Sequence, residues 1–422
     1  MPTMNEEIRL PWFRQLHWQI FIAMALGICA GLIGGEALAN QVGWLGTLFI
    51  RLLKMVIVPL VITSVVSGVA SVGGGRSLGR MFSKTLGYYV LSSALAILVG
   101  LIIVNILKPG VGAQFADVAE ATLPSLDIAS SPVQILLNMV PENIAAAAAT
   151  GDMLALIVFA ILLGAAIANL PKGPQDTLRG FFEAAFEAIM KLTGWIIRLA
   201  PIGVFGLIVR VVGVSGFGSF KALGLYMVTI VSSLTIHLFI TLPLLLLLLG
   251  RIKPQIHFRN MLEPLTLAFS TSSSAATLPV TMKAVEQKVG VSNRVSSFVL
   301  PMGATVNMDG TAIYECAGAL FIAQALGVDL SLTQQLIVML TALLASIGAA
   351  AVPSAGLVVI FIVLEAVNLR GPEVDVIVGA MLAVDRPLDM YRTAVNVFSD
   401  SCGAAIIARS EGETEVDTRV VA

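Results

Sequence analysis

Two short constellations in the last third of the chain carry residue types that could bind ligands. The first is Asn307-Met308-Asp309-Gly310-Thr311, set in an otherwise apolar stretch from about residue 298 to 326. It offers the Asp309 carboxylate and the Asn307 amide or main-chain carbonyl, hard oxygens suited to a cation. Gly310 and nearby Gly303 permit an unwound turn whose carbonyls point at an ion. A carboxylate in the middle of such a stretch costs about 2.5–3.5 kcal/mol on insertion scales, so it must face a protein interior or a watery cavity and meet a partner there. A buried structural network would satisfy that requirement as well as a cation.

The second constellation runs from Asp385 to Asp400. Within it Asp389, Arg392 or Thr393, Asn396 and Asp400 recur at spacings of three and four, which places them in one stripe of a helix. A guanidinium can grip a carboxylate bidentately and an aspartate can hold an ammonium, while a Thr hydroxyl and an Asn amide orient what lies between. With a second carboxylate binder opposite, that set describes an acidic α-amino acid, and Asp400 is left for a cation. The same spacing also lets Asp389 pair with Arg392 along the helix as a structural salt bridge, although Asp400 then has no partner.

The elements that must position these groups lie in a chain of 422 residues that is 57% hydrophobic and 12% charged. A soluble protein is about 45–50% apolar and 25% charged, so the composition is that of a polytopic membrane protein. The net charge of −1 and the lack of a basic tract exclude a nucleic-acid binder. Cys29, Cys316 and Cys402 are far apart and read as small core residues. The first apolar run lacks a signal-peptide cleavage site and is taken as a retained span.

Apolar runs near 16–36, 46–72, 85–107, 153–170, 182–212 and 225–249 are each long enough to cross. The fifth carries charged faces and an expected bend at Pro201. Between the third and fourth, residues 108–150 hold four prolines and read as an external loop with broken helical pieces. Lys and Arg fall in the even-numbered connections, which places both termini in the cytoplasm.

Past residue 260 simple alternation puts the lysines on the wrong side. The signs come right if 262–290 enters and returns as a hairpin, 298–326 crosses, 334–367 is a second hairpin and 374–408 crosses last. Each hairpin has a tip of small or hydroxylated residues, Ser270 to Pro279 and Ser346 to Gly356. Such tips suit close backbone approach and present helix N-termini to an anion, although small residues also serve tight helix packing. Hairpin then polar-centred span, twice, is the pattern of an inverted repeat with a site at the midplane.

These motifs together resemble the glutamate transporter family, the dicarboxylate/amino acid:cation symporters: the serine-rich tip ending Thr277-Leu278-Pro279, Gly303 to Thr311, the Val352-Pro353 tip, and Asp389 to Asp400. The resemblance covers nearly the whole chain. It implies an all-α polytopic membrane protein of eight transmembrane helices plus two re-entrant helical hairpins, an inverted-repeat elevator transporter assembled as a homotrimer in the lipid of a prokaryotic inner membrane. Residues 1–260 would hold the first six helices, 261–410 the core of the moving transport domain, and 411–422 a cytoplasmic tail.

The resemblance also implies site residues. Substrate contacts fall on Ser273, Ser274, Thr311, Val352, Gly356, Asp389, Arg392, Thr393 and Asn396. One sodium (Na+) site uses Asp400 with carbonyls of Gly303, Asn307 and Asn396. A second uses carbonyls of Thr305, Ser346, Ile347 and Ala349, and a third uses Asp309 and Asn307 with Tyr89, Ser92 and Ser93. Sodium is then the coupling ion, favoured by Asp400, and no organic cofactor is implied. Glu315 stands where sodium-only archaeal relatives carry glutamine; desolvated there, it could travel neutral with substrate and couple protons, or it could be a hydrogen-bonded core glutamate. Ala275, Ala351 and Ser354 depart from the family's tips and bear on gating.

Three other readings remain open: a C4-dicarboxylate or neutral amino acid symporter, an ion channel, and a membrane enzyme. Asp389 argues against the dicarboxylate and Arg392 against the neutral substrate. A channel needs a continuous polar lining, and these polar residues cluster instead. An enzyme built on the serines at 272–274 would need a His and an Asp brought to them in space.

Overall fold

Helix breaks rather than loops set the architecture, and each break has a cause in the sequence. In the computed structural model residues 16–70, 76–113, 140–150, 153–215, 218–347 and 355–418 are described, and they form helices and short connections without a strand. Helix α1 (Leu16–Ala70) would be about 80 Å long if straight, far more than a hydrocarbon layer. Gly35, at φ 52° and ψ −149°, breaks it into two limbs. Helices α2 (Arg76–Leu107), α3 (Ile144–Thr150) and α4 (Met153–Ala168) follow.

The fifth apolar segment, expected as one span bent at Pro201, is two helices. Helix α5 (Lys172–Ile197) stops four residues before Pro201, which has no N–H to offer the Ile197 carbonyl. Helix α6 (Ala200–Ser215) then leaves at 50°. The bend therefore falls at residues 198–199, ahead of the proline. Helix α6 lies against α1, where a Cβ on Gly206 would come within 2.8 Å of the Gly46 nitrogen; only small residues allow that approach.

Helix α7 (Gly218–Ile236) runs on through π-helical turns at His237–Thr241 and Leu246–Gly250. The Leu242 N–H reaches back five residues to the His237 carbonyl, beside Pro243. His237 is buried at this widened turn, while Phe239 and Ile240 face outward.

Helix α8 (Pro254–Thr271) and helix α9 (Ser274–Ala284, prolonged by a π turn at Val285–Val289) double back on each other. The chain reverses at Ser272, which has φ 52°. The two bases meet where Asn260 Nδ2 donates to the Lys288 carbonyl at 3.2 Å and Lys288 Nζ reaches Glu263 at 3.3 Å. Helices α10 (Asn293–Val306) and α11 (Asp309–Ala325) form one run broken at Asn307-Met308. Helix α12 (Leu332–Ile347) packs on α13 (Ala355–Ala366), and α14 (Pro372–Ser410) ends the bundle. The second tip, with Ala349 and Val352, lies outside the described residues.

Every residue of α11 except Gln324 is buried, enclosed by α2, α7, α12, α13 and α14. The bundle is apolar outside, with Ile33, Trp44 and Leu248 more than half exposed, and charged inside, with Asp309, Glu315, Arg392 and Asp400 buried. That is the distribution a bilayer requires. Trp18–Ala70, Arg80–Leu107 and Phe220–Gly250 are long and apolar enough to cross, and the bent pair α5–α6 makes a fourth candidate. Among the described residues this is fewer than the eight expected spans, because the two limbs of α1 are counted as one helix and the other segments are short, broken or carry internal charge.

Past Ser410 the chain turns back onto the bundle. The Glu411 carboxylate accepts from Arg80 Nη2 and Lys84 Nζ, each at 2.6 Å, and these hydrogen bonds hold its carboxyl down at about 2, below the ordinary 4.5. A depressed folded pKa contributes stability that is complete above about pH 4.5 and is lost as the pH falls toward 2. The melting temperature of Glu411→Gln in detergent should therefore lie a few degrees below wild type at pH 7, and the gap should close as the pH drops below about 4.5.

Candidate functional site

The α10–α11 break is the centre of the polar interior. Asn307 has extended and Met308 non-helical backbone (φ/ψ −100°/92° and −121°/61°), so α10 closes with Asn307 N–H to the Gly303 carbonyl and α11 opens with Ala312 N–H to the Met308 carbonyl. Asp309 is the first residue of α11, where the helix N-terminus favours a carboxylate.

Asp309 is wholly buried and receives hydrogen bonds from two other helices, with a ring nitrogen of a third beside it. Ser93 Oγ (2.6 Å) and Ser92 Oγ (3.2 Å) of α2 donate to Oδ1, while Ser399 Oγ of α14 donates to Oδ2 at 2.6 Å. His237 Nε2, from the π turn that extends α7, stands 3.0 Å from Oδ2. Asn307 lies between the helices: its Oδ1 stands 3.2 Å from Ser92 Oγ as an alternative acceptor to Asp309 for that single proton, and its Nδ2 donates to Ser399 Oγ (3.0 Å) and Asp400 Oδ1 (2.9 Å).

Gly303 faces this cluster closely. A Cβ there would lie 2.6 Å from both Asp400 Oδ1 and Tyr89 Oη, and Tyr89 itself donates to the Val299 carbonyl at 2.8 Å. The structure thus brings together Ser92, Ser93, Gly303, Asn307, Asp309 and Asp400, with Tyr89 at the edge. One turn away on α14, Asn396 Oδ1 accepts from Gly310 N at 2.7 Å and its Nδ2 donates to Thr311 Oγ1 at 3.3 Å.

Arg392 forms a second centre. Its Nε and Nη2 donate to Asp389 Oδ1 at 3.0 and 2.8 Å, Nη1 stands 3.5 Å from Asp385 Oδ1, and the guanidinium lies over the Tyr314 ring at 4.4 Å. The i, i+3 pair that the spacing allowed is therefore closed, with Asp389 and Arg392 facing each other. Gly356 lies against the far side of the guanidinium, where a Cβ would fall 2.5 Å from Nη1. Thr393 Oγ1 donates to the Asp389 carbonyl at 2.8 Å.

At the first tip, Ser273 caps α9, its Oγ accepting from Ala276 N at 3.2 Å, and Ser274 is buried beside it. Thr305 is exposed near the end of α10, and Ser346 is buried near the end of α12 with its Oγ donating to the Leu343 carbonyl at 2.9 Å. Ile347 closes α12. Glu315, one turn beyond Thr311, is fully buried, and neither carboxylate oxygen has a hydrogen-bond partner.

Two contributors to the cluster were not singled out from the sequence: His237 stands alone in an apolar helix, while Ser399 lies beside Asp400 and three residues after Asn396, a spacing that continues the polar stripe. The structure also assembles an Asp–His–Ser chain, but away from the serine-rich tip. His257 Nδ1 meets Asp417 Oδ2 at 2.5 Å and its Nε2 meets Ser401 Oγ at 3.0 Å. Ser401 is fully buried, so its hydroxyl has no path to a substrate.

The sodium:dicarboxylate symporter family model matches residues 16–410. The chain belongs to that family. Among its relatives, the proton/sodium-glutamate symport protein of Bacillus caldotenax is 36% identical over 406 residues, covering 94% of this chain and 95% of that protein. The proton/glutamate-aspartate symporter of Escherichia coli (strain K12) is 34% identical over 94% of this chain and 93% of its own length. Excitatory amino acid transporter 3 of Mus musculus is 35% identical over 94% and 86%. As a member of the symporter family the chain is an integral membrane transporter and not an enzyme.

Ser399 serves two buried partners at once, so Ser399→Ala leaves Asp309 short of a donor and Asn307 short of an acceptor. The loss should be about 1–3 kcal/mol of stability, read by thermal melting in detergent. Ser233→Ala, also buried but bonded to its own helix at the Thr229 carbonyl, should change much less.

Proposed function

We propose that this symporter carries acidic amino acids, L-glutamate or L-aspartate, into the cell with Na+. The observation that carries the reading is the Asp309 cluster. A buried carboxylate sits at a helix break, ringed by hydroxyl and amide oxygens and with a second carboxylate, Asp400, bonded to the same asparagine. Hydroxyl, amide and carboxylate oxygens are the donor set of a hard monovalent cation, and a cation between Asp309 and Asp400 would offset two buried negative charges. The glutamate symport of the relatives and the sodium for which the family is named support the same reading.

Asp309, Asn307, Ser92, Ser93 and Tyr89 would form one sodium site. Asp400 would form another with carbonyls of Gly303, Asn307 and Asn396, and carbonyls of Thr305, Ser346, Ile347 and Ala349 a third. The amino acid would lie against Ser273, Ser274, Thr311, Gly356, Asp389, Arg392, Thr393 and Asn396, with Val352 at the second tip. In this reading the substrate competes with the closed Asp389–Arg392 pair. The substrate's side-chain carboxylate takes the guanidinium from Asp389, which then holds the ammonium, so no buried charge is left unpaired at any stage. Glu315, buried without a partner, is the residue that would carry a proton.

The doubled-back pairs α8–α9 and α12–α13 act as re-entrant hairpins and move with α11 and α14 as a transport domain, within residues 261–410, in an elevator motion. Helices among residues 1–260 supply the scaffold of a homotrimer in the inner membrane, with both termini cytoplasmic. A dicarboxylate substrate would bring no ammonium to Asp389, leaving it only Arg386 at 3.3 Å, and a neutral amino acid would bring no side-chain carboxylate to Arg392. The clustering of the polar groups does not favour a channel.

Uptake of labelled L-aspartate and L-glutamate into proteoliposomes tests this. An inward sodium gradient should drive uptake, and Asp309→Asn and Arg392→Gln should each reduce it by about tenfold or more. Glu315→Gln should keep sodium-driven uptake and lose its dependence on a proton gradient. Uptake driven by protons alone in sodium-free buffer would contradict the sodium reading.

A further inference from the structure

We propose that the C-terminal segment, residues 411–418, is a built part of the transporter, and that Asp417 is a positioning residue for the cation ligand Asp400. The sequence marked residues 411–422 only as a cytoplasmic tail; residues 411–418 are anchored at three points. Glu411 accepts from Arg80 and Lys84 of α2. Glu413 caps the N-terminus of α10, its carboxylate accepting from Ser292 N at 2.9 Å and Ser292 Oγ at 2.5 Å, where a negative charge is favoured. Between Glu413 and Asp417 the chain crosses Gly290, on which a Cβ would lie 2.9 Å from the Glu415 carbonyl oxygen.

Asp417 is the third anchor and the deepest. It is 5% exposed, holds a left-handed backbone (φ 51°), and donates its N–H to the Val289 carbonyl at 2.7 Å. One carboxylate oxygen accepts from Asn260 Nδ2 at 2.9 Å and the other meets His257 Nδ1 at 2.5 Å. The far ring nitrogen of His257 meets Ser401 Oγ, whose own hydroxyl can donate to the Phe398 carbonyl at 2.7 Å. Burying a carboxylate and an imidazole is costly, and a tail without a role would sit in water instead.

Ser401 directly follows Asp400 and lies on a different face of α14. Ser399 and Asp400 face the α10–α11 break, while Ser401 faces α8. Any rotation of α14 that carried Asp400 away from Asn307 would also break Ser401 from His257. The tail thus ties α2, α8, α9, α10 and α14 together at one end of the bundle, and these include the helices that carry Ser92, Ser93, Asn307 and Asp400. Outer-shell partners that hold a ligand's direction commonly decide metal affinity.

The inference rests on the sodium-coupled reading, and the test separates the two. Sodium dependence of L-aspartate uptake is measured in proteoliposomes for wild type, Asp417→Ala, Asp417→Asn, Ser401→Ala and Glu413→Gln. Asp417→Ala should raise the half-saturating sodium concentration about tenfold while leaving the aspartate KM at saturating sodium within about twofold. Asp417→Asn, which keeps an acceptor for His257, should recover most of the loss, and Glu413→Gln should not shift it. If Asp417→Ala fails to fold, Ser401→Ala removes only the hydroxyl that meets His257 and should give the same shift. An unchanged sodium dependence in the folded Asp417 or Ser401 variant, or an equal shift in Glu413→Gln, would overturn the inference. Absence of sodium-dependent uptake in wild type would instead overturn the transport reading.

Discussion

Asp309 is the constraint on which the rest of this structure depends. A carboxylate buried at the centre of an apolar bundle is tolerable only when donors surround it, and here they come from α2 and α14, with a ring nitrogen from the π turn of α7 alongside. Those contacts fix how the helices pack. The break at Asn307-Met308 frees the backbone that would otherwise fill the site, and Gly303 keeps the approach of Asp400 and Tyr89 open. The burial of α11, complete but for Gln324, follows from the same requirement, because a helix that begins on such a charge cannot face lipid.

The charged groups of α14 obey the same rule in another way. Arg392 is buried against Asp389, Asp385 and the face of Tyr314, so its charge is balanced within its own helix and by one neighbouring ring. Helical spacing places Asp389 and Arg392 within reach of each other, and Gly356 leaves no room for a side chain on the open side of the guanidinium. A ligand entering here competes with an existing pair, which favours one that brings both an anion and a cation over one that brings a single charge.

Much of this was legible before any coordinates. Polar residues beside glycines in an apolar stretch mark Asn307 and Asp309, and a three-and-four spacing marks Asp389, Arg392, Asn396 and Asp400, because both signals are local. A tip within Ser270 to Pro279 and a bend near Pro201 were legible for the same reason, although the reversal at Ser272 was not singled out and the bend falls ahead of the proline, where the Ile197 carbonyl loses its donor. Long-range partners were not legible. His237 and Ser399 lie 72 and 90 residues from Asp309, and His257 lies 160 from Asp417. A lone His in an apolar helix has no periodicity that separates it from core, Ser399 was hidden beside the more conspicuous Asp400, and Ser92 and Ser93 stood out only through the family resemblance. The second tip, with Ala349 and Val352, lies outside the described residues.

Direct sodium binding to the purified protein, without substrate or gradient, tests most closely the claim that the α10–α11 break is a cation site. Radioactive sodium binding in detergent should be saturable, displaced by excess unlabelled sodium far better than by potassium, and lost in Asp309→Asn. Ser233→Ala, whose hydroxyl bonds its own helix at the Thr229 carbonyl, should bind as wild type does. Sodium binding of undiminished affinity and amount in a folded Asp309→Asn protein would contradict the account, because the carboxylate would then be a structural anchor and the ion would have to lie elsewhere.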